Sequence, residues 1–230
     1  MADAPDWPKV LSLTVHEFRT PLTVVAGYLR MLSTDRVGPL SDAQRRVIQE
    51  AERSCARLSS LLSEVSDVAH FHQGRLSFLR SPVPLDDILA GVVVPPSGET
   101  AVTLEREGDA AGSMVEGDAG RLRTALSAVA SAVAREIMDG PALYVLTEIR
   151  ESAGRREAFI ALGGEAEARG VLAAESRTLP AFDATRGGNG LSLVVARQVV
   201  EEHGGALYGA PGDHPRAGAG ISLPLAGTSS

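Results

Sequence analysis

Two long stretches of helical apolar spacing, separated by a short turn, most strongly constrain how this chain can fold. Apolar side chains recur three or four residues apart through residues 8–33 and again through 47–68. Gly38 and Pro39 between them favour a turn, and Ser41 is a suitable N-cap for the second helix. The pattern predicts an antiparallel helical hairpin.

Such a hairpin has more apolar surface than its two helices can cover on each other. Pairing with a second copy into a dimeric four-helix bundle is the natural way to bury both apolar faces. The alternative is a monomeric hairpin packed against the rest of the chain.

The rest of the chain mixes strand-like and helical segments, which predicts an α+β protein whose second part is an α/β sandwich. Gly74 is expected to end the second helix, and the two prolines within residues 80–84 suggest a linker. We therefore predict domains at 1–79 and 80–230. The predicted strands are 101–105, 142–149, 158–162 and 220–225, and the predicted helices are 85–92, 120–138 and 191–203.

Composition narrows the class of protein. Apolar residues make up 44% of the chain and charged residues 22%, as in ordinary globular proteins. The net charge of −7 disfavours a nucleic-acid partner, and Cys55, the single cysteine, excludes an intrachain disulfide. The apolar run 89–94 is far too short to insert in a membrane. We expect a cytoplasmic protein with no membrane anchor.

The segment 13–22, LTVHEFRTPL, concentrates residues suited to chemistry. On a helix, His16 and Thr20 share a face, Glu17 is next to the histidine, and Pro21 bends the helix just beyond it. Neutral imidazole is a good nucleophile, and an adjacent carboxylate can accept the proton that the ring loses. His16 is therefore the candidate nucleophile and Glu17 its base. We interpret the remaining histidines as packing or surface residues: His70, His72, His203 and His214.

This segment resembles the phosphoacceptor box of the histidine kinase family, in which the histidine is followed by an acidic residue, two variable residues, Thr or Asn, Pro and Leu. His16, Glu17, Thr20, Pro21 and Leu22 all match that pattern. The resemblance implies a homodimeric bundle in which Glu17 is the base for phosphorylation. It also implies that Thr20 positions water to dephosphorylate a partner's phospho-aspartate.

The second domain resembles the ATP-binding domain of the same kinases, most closely near its end. Gly188, Gly190 and Leu191 match the family's second glycine box, and a helix leading to His203 follows. The resemblance implies a phosphate-binding loop, here vestigial. The same glycines would also serve simply to preserve the entry to the helix.

Other positions depart from the family. Asp118 and Arg121 set a register in which Ala128 and Ala132 replace the family's two asparagines, so the oxygens that hold magnesium are missing. The D-x-G-x-G box is replaced by the sequence GGEAE at 163–167, which lacks the aspartate that would accept from adenine. We predict no metal site and no bound cofactor, although the resemblance by itself implies ATP and magnesium.

A frame shifted by one residue would place Ser127 and Ser131 at the asparagine positions. That frame loses the match of Arg121 and supplies weaker ligands, so we do not favour it. Arg135, where the family often has lysine, would keep a positive charge near a phosphate.

The leading hypothesis is a phosphorelay protein that uses His16 to exchange a phosphoryl group with receiver aspartates of response regulators, and with an upstream histidine kinase as a further partner. A second hypothesis is an ATP-dependent sensor kinase with an atypical nucleotide pocket. A third is a non-catalytic pseudokinase that binds a kinase or regulator. Input is expected from another polypeptide or from phosphotransfer itself, because few residues precede the helical region.

Overall fold

The computed structural model describes residues 7–34, 37–72, 78–94, 103–110, 112–137, 142–152, 154–185 and 191–227. The chain divides into two compact units, Met1–Leu76 and Ser77–Ser230.

Unit 1 is a hairpin of two helices, α1 (Trp7–Ser33) and α2 (Asp42–His72). A capping box starts α2: Gln44 N–H donates to Ser41 Oγ over 3.3 Å, and Ser41 N–H donates to Gln44 Oε1 over 2.9 Å. Between the helices, Ser33 Oγ donates to Glu52 Oε1 over 2.9 Å. The hairpin and the Ser41 N-cap predicted from the sequence are confirmed.

The hairpin buries little of its own apolar surface. Of its described side chains, those that are buried are Val15, Cys55 and Ala69. Many large apolar side chains stay exposed on one or other helix: Trp7, Val10, Leu11, Leu13, Phe18, Val24, Val25, Tyr28, Met31, Val47 and Leu58. Unit 1 thus offers the uncovered apolar face that a helical partner would bury.

Unit 2 contains a five-stranded sheet of order β2-β4-β5-β7-β6 and a separate antiparallel pair, β1 and β3. In the larger sheet β2 runs parallel to β4, and the other neighbours are antiparallel. The strands are β1 (Ser81–Pro84), β2 (Thr103–Gly108), β3 (Met114–Gly117), β4 (Ala142–Ser152), β5 (Arg155–Gly163), β6 (Ala206–Gly209) and β7 (Gly218–Pro224).

Helices cover both faces of this sheet. Three of them, α3 (Leu85–Ala90), α4 (Ala119–Ala134) and α6 (Ser192–Glu202), pack with α4 in the middle. Val145 and Leu162 of the sheet meet Leu126 of α4 on this side. Since side chains alternate along a strand, their neighbours Leu146 and Ala161 point to the opposite face.

The opposite face is covered by α5 (Glu165–Ala173) and the 3-10 turn Ser176–Thr178. Phe159 packs there in a core with Ala168, Val171 and Leu179. Arg150 holds the end of α5 against the sheet. Its guanidinium lies 3.5 Å from the Phe159 ring centroid and donates to the carbonyls of Leu172 and Ala174.

The predicted α+β class is confirmed, with a helical hairpin followed by an α/β region. The prediction that residues 80–84 form a linker was wrong, because Ser81–Pro84 is strand β1. Its prolines are tolerated because β1 pairs with β3 alone within the described structure. The sequence also missed β3, α5 and β6. Across the described residues, no helix combines the length and hydropathy needed to span a membrane.

Candidate phosphoacceptor site

His16 stands in the middle of α1 with its side chain 77% exposed. The preceding residue, Val15, is the buried residue of this helix. One helical step is about 100°, so packing Val15 inward turns His16 out to solvent. An exposed imidazole is accessible to a phosphoryl donor carried by another protein.

Glu17 lies beside the imidazole. Its Oε1 is 3.7 Å from Nδ1 of His16, and its side chain is 73% exposed. This separation exceeds a hydrogen bond, but both exposed side chains can close it by a rotamer change. With the carboxylate on the Nδ1 side, Nε2 is the nitrogen that remains available for attack.

Thr20 is exposed one turn after His16 on the same helix face. The hydroxyls of Thr14 and Thr23 each donate to the carbonyl four residues earlier, over 2.8 Å. Within the part of the chain that the structure describes, the Thr20 hydroxyl makes no such bond. Pro21 lies inside α1, which continues to Ser33. His16, Glu17 and Thr20 are therefore brought together.

Two residues of the predicted phosphate-binding loop, Gly188 and Gly190, lie outside the described residues. Leu191 is the N-cap residue of α6, and its carbonyl accepts from Val195 N–H over 2.9 Å. It is half-buried. The described part of this segment is thus an ordinary helix start, which leaves the phosphate-binding role of the loop a prediction.

The positions that hold magnesium in the family do not fit a metal in this chain. Ala132 is 1% exposed, so its methyl group belongs to the core, and Ala128 is half-buried. Ser127, the alternative ligand in a shifted frame, already donates to Arg123 O over 2.8 Å and accepts from Val93 N–H over 3.0 Å. Asp118 serves as the N-cap of α4, accepting from Arg121 N–H over 3.1 Å.

The position of the adenine acceptor is taken by the start of α5. Strand β5 ends at Gly163, Gly164 is the N-cap residue, and the helix follows at once. A Cβ on Gly163 would lie 2.9 Å from Ala168 N, so the end of β5 and helix α5 are in close contact. Glu165, which would have to replace the aspartate, is instead paired with Arg169 at 3.1 Å.

A cleft of about 1040 Å³ opens beside Gly164. The acidic residues that line it among the described residues are Glu136, Glu165, Glu167 and Asp213. In the part of the chain that the structure describes, two arginines also line the cleft, and both are paired: Arg169 with Glu107 and Glu165, and Arg216 with Asp183 at 2.8 Å. Among the described lining residues, acidic side chains thus outnumber arginines four to two.

Comparison with known proteins agrees with the architecture and with the segment around His16. Residues 9–74 match the model of the His Kinase A (phospho-acceptor) domain. The sensor protein DivL of Caulobacter vibrioides is 26% identical over 205 residues, covering 86% of this chain and 26% of DivL. The sensor protein GacS of Pseudomonas syringae is 25% identical over 227 residues, covering 92% of this chain and 24% of GacS.

Among solved structures, full-length ShkA in complex with AMPPNP superposes with a TM-score of 0.64 and 25% identity, covering 97% of this chain and 47% of ShkA. Fold and site thus define a protein that carries a histidine phosphoacceptor domain. Over most of its length the chain is similar to the sensor proteins DivL and GacS and to the structure of ShkA. It spans about a quarter of the length of its curated relatives.

Proposed function

We propose that this chain is a phosphorelay protein in which His16 exchanges a phosphoryl group with the aspartate of a response-regulator receiver domain. The observation that carries the proposal is the exposed His16 imidazole with the Glu17 carboxylate beside Nδ1. A receiver must bring its acyl phosphate directly to the nucleophile, so the histidine has to be exposed.

The transfer needs only groups that this chain and a receiver supply. Nε2 of His16 attacks phosphorus, the bond from phosphorus to the aspartyl oxygen breaks, and the carboxylate leaves with the bonding electrons. The proton on Nδ1 passes to Glu17, which leaves a neutral phosphorylated imidazole. This transfer consumes no nucleotide.

The second domain supports a relay over an ATP-dependent kinase. The buried methyl of Ala132 offers no oxygen to a metal, and the start of α5 lies where an adenine acceptor is expected. The described lining of the cleft beside it has more acidic side chains than arginines. We therefore propose that unit 2 serves as structure or docking surface, and that neither ATP nor magnesium is a working cofactor.

The partners follow from the hairpin. We propose that a second copy covers the exposed apolar side chains of α1 and α2, because two helices leave those side chains in water. The resulting homodimer presents one His16 per subunit to a receiver. An upstream histidine kinase, acting through its own receiver, is the proposed phosphoryl source.

The test uses the purified protein and two phosphoryl donors, a labelled phosphorylated receiver and labelled ATP with magnesium. We expect label on the protein from the receiver only, and none on His16→Gln. His214→Gln is the matched control, since His214 is exposed in unit 2 and should leave transfer unchanged. Label on His16→Gln would show that another residue accepts the phosphoryl group.

One observation favours a second function, that of an ATP-dependent kinase: ShkA, which this chain resembles over 97% of its length, was solved with AMPPNP. Labelling of His16 from ATP alone would establish that function and overturn the relay. Labelling from neither donor would point to a non-catalytic binding protein.

A further inference from the structure

His203, unlike His16, is buried, and it joins several parts of unit 2. The residue is 6% exposed at the end of α6. Asp118 N–H donates to its Nε2 over 3.0 Å, so Nε2 carries a lone pair and Nδ1 carries the hydrogen. Nδ1 then donates to Val199 O over 2.6 Å. The ring is therefore neutral, with both nitrogens in use.

The contacts around His203 also include the segment Phe78–Arg80, the first described residues of unit 2. Phe78 meets the His203 ring edge-on, with centroids 5.1 Å apart at 84°. Leu79 N–H donates to Asp118 Oδ2 over 3.1 Å, and Arg80 donates to Glu202 O while its guanidinium lies 3.9 Å from the Glu202 carboxylate. These contacts fix the segment to the surface formed by α6 and the start of α4.

Charged groups lie close to His203 and to the segment Phe78–Arg80. The guanidinium groups of Arg80 and Arg121 each lie 5.7 Å from the Phe78 ring centroid. The carboxylates near the imidazole are those of Asp118 and Glu202. Burial lowers the pKa of His203, and Arg80 adds to that effect, against the Val199 carbonyl and the two carboxylates. Partial burial acts to raise the pKa of Asp118, but hydrogen bonds from the Arg121 and Leu79 amides bring it below its usual value.

We propose that neutral His203 is an acid-sensitive anchor that holds Phe78–Arg80, the chain entering unit 2 from the hairpin, against α4 and α6. Protonation at Nε2 removes the acceptor for Asp118 N–H and places a hydrogen against that amide. It also puts a charge in a buried site beside Arg80. The residue Asp118, which lies between β3 and α4, must then shift. Its Oδ2 is then lost as the acceptor for Leu79 N–H.

Release of Phe78–Arg80 would change where the packed part of unit 2 begins. Helix α2 ends at His72, and five residues separate His72 from Phe78 in the sequence. Freeing Phe78–Arg80 would release at most about 10 Å of extended chain from the surface of α4 and α6. The anchor would thus set whether the packed structure of unit 2 begins at Phe78 or at β1. This inference does not depend on phosphotransfer at His16, and either can fail without the other.

The sign of the pH dependence follows from the neutral ring. The pKa of His203 is lowered in the folded state, so above pH about 6.5 the ring is neutral in folded and unfolded chains alike and the anchor is intact. As the pH falls from there toward the lowered pKa, the unfolded or released chain binds more protons, and the anchor is lost.

Amide hydrogen exchange of the full chain between pH 7.5 and 5.0 tests the anchor. We expect the protection factor of Leu79 to fall by about tenfold per pH unit once the released state takes up the proton. The amide of Ile160, in the middle of β5, should keep its protection and so report that the sheet remains folded. His203→Gln, which can still accept from Asp118 N–H but does not titrate, should make Leu79 protection independent of pH.

His214→Gln is the matched control, because it removes an exposed histidine of the same unit and should keep the pH dependence of the wild type. Constant Leu79 protection in the wild type would overturn the anchor. So would an equal loss of protection at Ile160, which would mean that His203 stabilises the whole unit only. If His203→Gln does not fold, the imidazole ¹⁵N shifts of the wild type decide: protonation of His203 must accompany the loss of Leu79 protection.

Discussion

Two histidines of this chain have opposite environments, and the environment decides what each can do. The side chain of His16 is 77% exposed, with a carboxylate beside Nδ1, whereas His203 is 6% exposed with both nitrogens bonded to backbone. The first can attack an incoming phosphoryl group. The second can only hold its neighbours together.

At the same scale, Thr20→Ala should separate two activities of the site. In the proposed mechanism phosphoryl acceptance uses His16 and Glu17, so it should stay within about twofold of wild type, whereas dephosphorylation of a receiver should slow by at least about tenfold if the hydroxyl positions water. Single-turnover assays with a phosphorylated receiver measure both rates. Thr23→Ala is the control, since that hydroxyl is bonded to Arg19 O. Equal rates for wild type and Thr20→Ala would remove Thr20 from the mechanism.

At the scale of elements, α1 and α2 are amphipathic helices that leave large side chains in water when they pack on each other alone. Leu58 is 51% exposed although its neighbours Leu61 and Leu62 are half-buried. A helix with such a face is stable in water chiefly when another helix covers it.

Leu58→Lys should therefore separate the proposed dimer into monomers, because an unpaired ammonium group would be buried in the bundle. Light scattering should give twice the chain mass of 24.0 kDa for wild type and the single mass for the variant. Ser59→Lys adds the same charge at a neighbouring exposed position and should stay dimeric. A monomeric wild type at micromolar concentration would contradict the dimer.

Helix α4 shows why the family's asparagine cannot simply be restored. Ala132 is 1% exposed, so Ala132→Asn would bury an amide without partners and lower the free energy of unfolding of unit 2 by about 1–3 kcal/mol. Urea unfolding measures the loss. Ala128→Asn, at a half-buried position, should cost less. Unchanged stability of Ala132→Asn would show that the site has room for a polar ligand.

For the whole molecule, the arrangement of unit 2 predicts that ATP with magnesium binds weakly or undetectably. Each lost contact to a charged group or metal costs roughly 1.5–3 kcal/mol, and the loss of several moves a dissociation constant from about 1 μM to about 1 mM or weaker. Isothermal titration calorimetry measures this directly. Micromolar affinity would favour the kinase over the relay.

The sequence by itself determined the hairpin and the group of His16, Glu17 and Thr20, because both depend on residues close together along the chain. Helical periodicity and the Ser41 capping box act over a few residues, and a helix brings positions 16 and 20 onto one face wherever it packs. The sequence also predicted that Ala128 and Ala132 stand at the family's asparagine positions, because the register of α4 is set locally by Asp118 and Arg121.

The tertiary structure alone decided which distant parts of the chain meet. The sequence does not show that His203 is buried and His214 exposed, and tertiary contacts, with Phe78 and with Asp118, 85 residues away, make that difference. The pairing of Ser81–Pro84 with β3 turned an apparent proline linker into a strand. The packing of α5 on the second face of the sheet depends on Phe159, Val171 and Leu179 meeting there. Such contacts form because burial of apolar surface and completed hydrogen bonds outweigh local preference, and periodicity does not report them.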